Sequence, residues 1–168
     1  MSEVLITEAT ENDITGIQRV ADASWRATYK DIFTPEFIND FLAHSYGSES
    51  LRRSITNSAD IFLVAREDGV IIGFCHCGGD AMQLYRIYLT PDRWDRGIGG
   101  KLIGELEMRL GERDIPSYHC YVHNRNERAR TFYQRYGFAH VPERDQQDED
   151  EWYMEKQLRP DVDLLDGR

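Results

Sequence analysis

The sequence predicts an α/β (α+β) chain in which helices flank one mixed, mostly antiparallel sheet of six to seven strands. Three observations predict it. Apolar runs over 61–65, 70–77 and 83–89 are short and separated by Asp68-Gly69 and Gly78-Gly79-Asp80, the pattern of an antiparallel meander. Segments with apolar residues at helical spacing stand before and after that meander. A further run, 118–122, returns after the helix that follows the meander, so it should lie parallel to the strand before it. With 168 residues, 40% hydrophobic and 11% aromatic, the chain reads as one domain over 1–168, able to bury a core without disulfide or metal.

Taken in order, Val4-Leu5-Ile6 is a first strand, and Thr10-Glu11-Asn12-Asp13 supplies a capping box. Ile14, Ile17, Val20, Ala21 and Trp25 then mark a helix to about Thr28, leading to Tyr29 in a loop. Pro35 opens a second helix over 35–42, and 48–55 forms a third, shorter one. After the meander, Ile98, Leu102, Ile103, Leu106 and Leu110 share one helical face. Asn126 caps a helix over 127–136 that stops at Gly137, a residue suited to a left-handed C-terminal position. Strands over 138–141 and 151–158 enclose a polar, mostly acidic hairpin loop, 143–150. The tail, 160–168, reads as frayed or as a contact in a homodimer.

The formal net charge of -10 argues against nucleic acid as a partner, because phosphate would be repelled at long range, and favours a cationic substrate. No apolar stretch has the length of a membrane span or the form of a signal peptide, so no membrane association is expected. Three cysteines in strand-like segments, Cys75, Cys77 and Cys120, suit a reducing, cytoplasmic setting. Zinc is not expected: in Cys75-His76-Cys77 strand alternation turns the imidazole away from the thiols, and no Cys-x-x-Cys pair exists. Against the acidic background, 93–101 and 125–135 hold seven basic side chains and two acids. Each island stands at a helix N-terminus, where backbone N–H groups also attract anions.

Between strand 83–89 and its helix lies Arg93-Trp94-Asp95-Arg96-Gly97-Ile98-Gly99-Gly100-Lys101. A P-loop would need glycine at Asp95 and a hydroxyl at Leu102, and a dinucleotide fingerprint from Gly97 would need glycine at Leu102. The stretch instead resembles the Gln/Arg-x-x-Gly-x-Gly/Ala turn of the GNAT superfamily, the Gcn5-related N-acetyltransferases, with Trp94 in place of the usual first residue. Asn126-Glu127-Arg128-Ala129-Arg130-Thr131-Phe132-Tyr133-Gln134-Arg135-Tyr136-Gly137-Phe138 resembles that family's Asn-x-x-Ala-x-x-Phe-Tyr-x-x-x-Gly-Phe segment at every named position. Trp25-Arg26-Ala27-Thr28-Tyr29 with Pro35-Glu36-Phe37, and Trp152 to Leu158, are also similar to family segments, so the resemblance spans nearly the whole chain.

That resemblance implies a sheet whose fourth and fifth strands splay apart and receive acetyl-CoA as cosubstrate. Backbone of Ile87, Tyr88 and Leu89 would pair with its pantetheine arm, and the N–H groups of Arg96, Gly97, Ile98, Gly99, Gly100 and Lys101 would take the pyrophosphate. Asn126 and Tyr133 would flank the thiol. A backbone N–H near Tyr88 or Leu89 would meet the oxyanion. The implied activity is direct transfer of acetyl to a primary amine of a small molecule, polyamine or peptide. A protein of the same fold that binds CoA without catalysis is the alternative. Tyr133 occupies the general-acid position, and its phenol is protonated at neutral pH. Where many relatives carry a glutamate base this chain has Gln83, which cannot accept a proton, and His76 on the neighbouring strand is the candidate base. Trp25, Tyr29, Phe33 and Tyr85 are candidates for an aromatic wall around the amine, with Gln83 beside them and Asp31 to pair with a cation.

Overall fold

Asp68 and Gly69 both take positive φ, 52° and 78°, as a two-residue hairpin turn requires, and they join β2 (Ile61–Glu67) to β3 (Val70–Gly78). Gly79, at φ 80°, then turns the chain into β4 (Gln83–Leu89). With β1 (Val4–Glu8) pairing β2, these strands form the expected antiparallel half of the sheet. The computed structural model describes residues 2–159, so the 160–168 tail lies outside the described residues.

The other half contains β5 (Ser117–His123), β6 (Ala139–His140) and β7 (Glu151–Gln157), in the overall order β1-β2-β3-β4-β5-β7-β6. β4 and β5 run parallel and meet at one register pair, Gln83↔His119, after which they separate. Along β4 a bulge opposite His76/Cys77 leaves Tyr85 without a partner, since Cys77 faces Leu84 and His76 faces Arg86. Beyond the bulge, Ile87, Tyr88 and Leu89 pair only with β3, and no strand pairs their other edge.

α1 (Ile14–Tyr29), α2 (Pro35–Ser45) and α3 (Ser48–Thr56) cover one face, where Ile17, Val20, Trp25 and Leu51 pack on Phe62, Val64 and Phe74. The Thr10 N–H donates to the Asp13 carboxylate at 2.8 Å, and a short 3-10 turn, Glu11–Asp13, starts α1. α4 (Ile98–Glu112) and α5 (Glu127–Arg135) cover the opposite face. There Leu102, Leu106 and Leu110 are fully buried against Leu63, Cys75, Tyr118 and Met154.

Tyr29 closes α1 rather than standing in a loop, α2 runs on to Ser45 rather than ending at 42, and two larger expectations change. The strand read over 138–141 shortens to two residues, because Phe138 is buried at the end of the helix and Pro142 has no N–H to continue a ladder. The acidic loop is folded rather than merely solvated. It makes two 3-10 turns, Pro142–Arg144 and Gln147–Glu149, and Asp145 accepts from the Tyr153 N–H at 2.8 Å.

Candidate active site

Where β4 leaves β5, a cavity of about 670 Å³ opens between Ile87, Tyr88 and Leu89, the N-terminus of α4, and α5. Gly97 caps α4 with φ 80°, a left-handed conformation that glycine adopts without strain. The first turn of a helix has no intrahelical acceptors for its N–H groups, so Ile98, Gly99 and Gly100 present free donors. Gly97, Gly99 and Gly100 line the cavity, whereas Arg96, Ile98 and Lys101 do not. The Ile98 side chain turns into the core, and the Lys101 N–H donates to the Gly97 carbonyl at 3.2 Å, which removes it from the free set.

α5 offers less to an anion than its basic side chains suggest. The Asn126 side chain accepts from the Ala129 N–H at 3.1 Å, so this helix caps itself. Its side-chain amide also donates to the Tyr29 hydroxyl at 3.4 Å. Arg128 lies 4.3 Å over the Trp94 ring and reaches Asp95 at 3.1 Å, forming one rim of the cavity. The Trp94 indole N–H donates to the Leu89 carbonyl at 3.1 Å and fastens the glycine turn to the end of β4.

Tyr133 is buried on the cavity wall, with its hydroxyl against the Cys120 thiol. Burial, with Cys120 and Tyr29 nearby, raises its pKa well above the ordinary phenol value, so it holds its proton. The Tyr88 pKa is likewise raised by burial, with Tyr29 nearby. The deep end of the cavity therefore gathers Tyr88, Asn126 and Tyr133, with Tyr29 immediately behind them.

Other candidates lie elsewhere. His76 is 4% exposed, does not line the cavity, bonds Asp60 through Nε2 at 2.8 Å and stacks on Phe62. Burial lowers its pKa despite the Asp60 partner. Trp25 packs on Tyr29 and Phe41 with centroids 4.2 and 4.0 Å away, as a core residue. Tyr29 and Phe33 continue that ladder toward His123, but Tyr85 stands apart against His76, and neither it nor Gln83 lines the cavity. Trp25, Tyr29 and Phe33 do not line the cavity either, and Tyr29 meets it only through the Asn126 amide. Asp31 is met at its main-chain carbonyl, by Arg125 at 3.0 Å. Ser24 and Thr28, which also line the cavity, escaped sequence reasoning; the available signal was a pair of hydroxyl residues four apart on α1, next to its apolar stripe. Among the described residues no group of three or more His, Cys, Asp or Glu is placed to hold a metal, and no helix is long and apolar enough to cross a membrane.

Comparison with known proteins bears on this geometry. Residues 29–157 match the model of the acetyltransferase (GNAT) domain. The spermidine N(1)-acetyltransferase of Thermoplasma acidophilum is 30% identical over 79% of this chain and 86% of its own. The crystal structure of PaiA N-acetyltransferase from Thermoplasma acidophilum in complex with coenzyme A superposes with a TM-score of 0.87 at 28% identity, covering 92% of this chain and 99% of that one. A GNAT acetyltransferase from Staphylococcus aureus Mu50 shares the fold with a TM-score of 0.76 at 16% identity, over 94% of this chain and 100% of its own. On the strength of the domain match and of the first relative, the chain belongs to the GNAT family of acetyltransferases.

Proposed function

We propose that this enzyme moves an acetyl group from acetyl-CoA to a primary amine of a small polycation, by direct transfer with both substrates bound. The observation that carries the reading is the cavity at the β4–β5 split, walled by the first turn of α4 and by Tyr133. Its size and its single rank of free helix N–H groups fit an elongated thioester with a diphosphate at one end. The unpaired edge of Ile87 to Leu89 would hold the amide-bearing arm by main-chain hydrogen bonds, and the N–H groups of Ile98, Gly99 and Gly100 would bind the diphosphate. Bound acetyl-CoA supplies the activated acyl group. Tyr133 holds a proton beside the position of the leaving sulfur and donates it there.

A cationic acceptor is supported by the formal charge of -10, by the acidic run Asp148, Glu149 and Asp150, and by the named activity of the Thermoplasma acidophilum relative toward spermidine. Three buried free thiols suit a cytoplasmic setting.

Calorimetry with acetyl-CoA, ATP and NAD tests the donor, and an acetylation screen across polyamines, aminoglycosides, amino acids and N-terminal peptides tests the acceptor. Micromolar binding of acetyl-CoA alone, with turnover strongest on polyamines, is the expected outcome. Failure to bind acetyl-CoA would remove the reading. Tight binding without transfer to any amine would favour a CoA-responsive sensor.

A further inference from the structure

We infer that Glu151 is the general base that takes the proton from the acceptor ammonium; this rests on the acetyltransferase reading above. An alkylamine is protonated near neutral pH and cannot attack until it loses a proton. Gln83 cannot accept one, and His76 is buried away from the cavity and engaged by Asp60.

Register places Glu151. Along β5 and β7 it sets His123 opposite Glu151, Tyr121 opposite Tyr153, and His119 opposite Glu155, so these side chains share one face. The intervening Tyr118, Cys120 and Val122 point into the core beneath α4. The core beneath α1, α2 and α3 contains no residue of β5 or β7, which leaves the Glu151 face outside it. At the β7 end the loop after α1 closes on this face: Phe33 meets the His123 ring edge-on at 5.3 Å, and Arg125 holds the Asp31 carbonyl. Burial raises the Tyr29 pKa, and the nearby Glu151 charge adds a smaller push in the same direction. Glu151 does not itself line the cavity; it is joined to the wall through Tyr29, which meets the Asn126 amide at 3.4 Å, and through its register partner His123, whose carbonyl accepts from the Asn126 N–H at 2.9 Å.

Pairing sets Glu151 apart from the other acids. Among the described residues, seven other carboxylates are shielded from solvent, and each lies within 3.7 Å of an arginine, a lysine or an imidazole. Glu151 is half-buried and has no such partner in the same set. A half-buried carboxylate without a cation is costly unless a cation arrives, and an acceptor ammonium supplies one. Burial, reinforced by Glu149, raises the Glu151 pKa, which moves the group toward the range where a base works best near neutrality. The groups around it are Tyr29 on α1, His123 and Tyr121 on β5, Arg125 after β5, Glu149 and Asp150 before β7, and Tyr153 along β7. His123 accepts the Arg125 N–H at Nδ1 and its pKa is lowered by burial, so the imidazole is neutral and does not compete as a cation.

The proton balance is simple. An N–H bond of the ammonium breaks and its proton passes to Glu151. The freed lone pair attacks the thioester carbon, the C–N bond forms and the C–S bond breaks. The sulfur takes a proton from the enzyme, and the second nitrogen proton and that on Glu151 return to solvent and to the acid.

The test compares Glu151→Gln, Glu151→Asp and wild type, with spermidine and with a fluorinated alkylamine that is neutral near pH 7 as probe acceptors. For Glu151→Gln we expect kcat/KM toward spermidine to fall about 100-fold or more, with partial recovery in Glu151→Asp and little loss toward the neutral amine. Calorimetric CoA affinity should match wild type, and the melting temperature of Glu151→Gln should equal or exceed it, since the variant removes an unpaired half-buried charge. In carboxyl-labelled protein, one glutamate NMR signal that titrates above the ordinary range should vanish in Glu151→Gln. A Glu151→Gln enzyme as active as wild type, an equal loss with both amines, or a change confined to the KM for spermidine would overturn the assignment while leaving the acetyltransferase reading intact. Wild type that binds no acetyl-CoA would overturn both.

Discussion

Replacing Gly99 by alanine perturbs the contact that holds the cavity's two helices together. A Cβ at this position would lie 2.7 and 3.1 Å from the Phe132 ring carbons Cε2 and Cζ, whereas carbon atoms in good contact sit about 3.5–4.0 Å apart. The ring cannot shrink, so α4 and α5 must separate by about 1 Å or the ring must leave its rotamer. Overpacking of this kind costs about 1–3 kcal/mol, and the gain in helix propensity on replacing glycine returns about 1 kcal/mol. A net loss near 1 kcal/mol lowers the melting temperature by about 2–4 °C in a domain of this size. Phe132 and Arg128 ride on α5, Tyr136 caps its end, and all three line the cavity, so CoA affinity measured by calorimetry should weaken about tenfold, equivalent to about 1.4 kcal/mol. Gly104→Ala in the same helix is the control, since nothing lies within 4 Å of its added methyl. That variant should gain up to about 1 kcal/mol and bind CoA normally. If Gly99→Ala matches Gly104→Ala in both melting temperature and CoA affinity, the packing argument is refuted.

Tyr133→Phe removes only the hydroxyl and should cut turnover by about 100-fold while leaving the CoA dissociation constant within about threefold; unchanged turnover would exclude the phenol as proton donor. Trp94→Ala loses the stack with Arg128 and the hydrogen bond to Leu89, together about 1.5 kcal/mol, and should weaken CoA binding about tenfold in calorimetry. His76, His119 and His123 all have pKa values lowered by burial. The unfolded chain therefore binds more protons than the folded one below the ordinary histidine pKa, and stability falls as pH drops below about 6.5. Urea titrations should show that slope, and His76→Gln should flatten it. Glu151 contributes in the opposite sense, because its raised pKa favours the folded state only while it is protonated. Cys75, Cys77 and Cys120 are fully buried, with thiol pKa values raised by burial, that of Cys77 to about 12. None should react with a disulfide reagent until the protein unfolds, and rapid native labelling would contradict their placement.

Local signals determined much of this protein. Asp68-Gly69, the capping residues Thr10 and Asn126, Pro35 and Gly137 act through the conformations of one to four neighbouring residues, so the boundaries they mark were legible within a residue or two. The two motifs around Gly97 and Tyr133 were legible for the same reason, because each lies on one continuous turn and helix. Only tertiary structure decided the rest. The order β5-β7-β6 depends on which edges remain unpaired after folding, and the β4–β5 split begins beside a β3–β4 bulge that leaves Tyr85 without a partner. The same packing removed His76 from consideration as a cavity residue by seating it between Asp60 and Phe62. It also left Glu151 unpaired opposite His123, although these residues are 28 positions apart in sequence. A carboxylate's partner is a matter of distance in three dimensions, and no spacing along the chain records its absence.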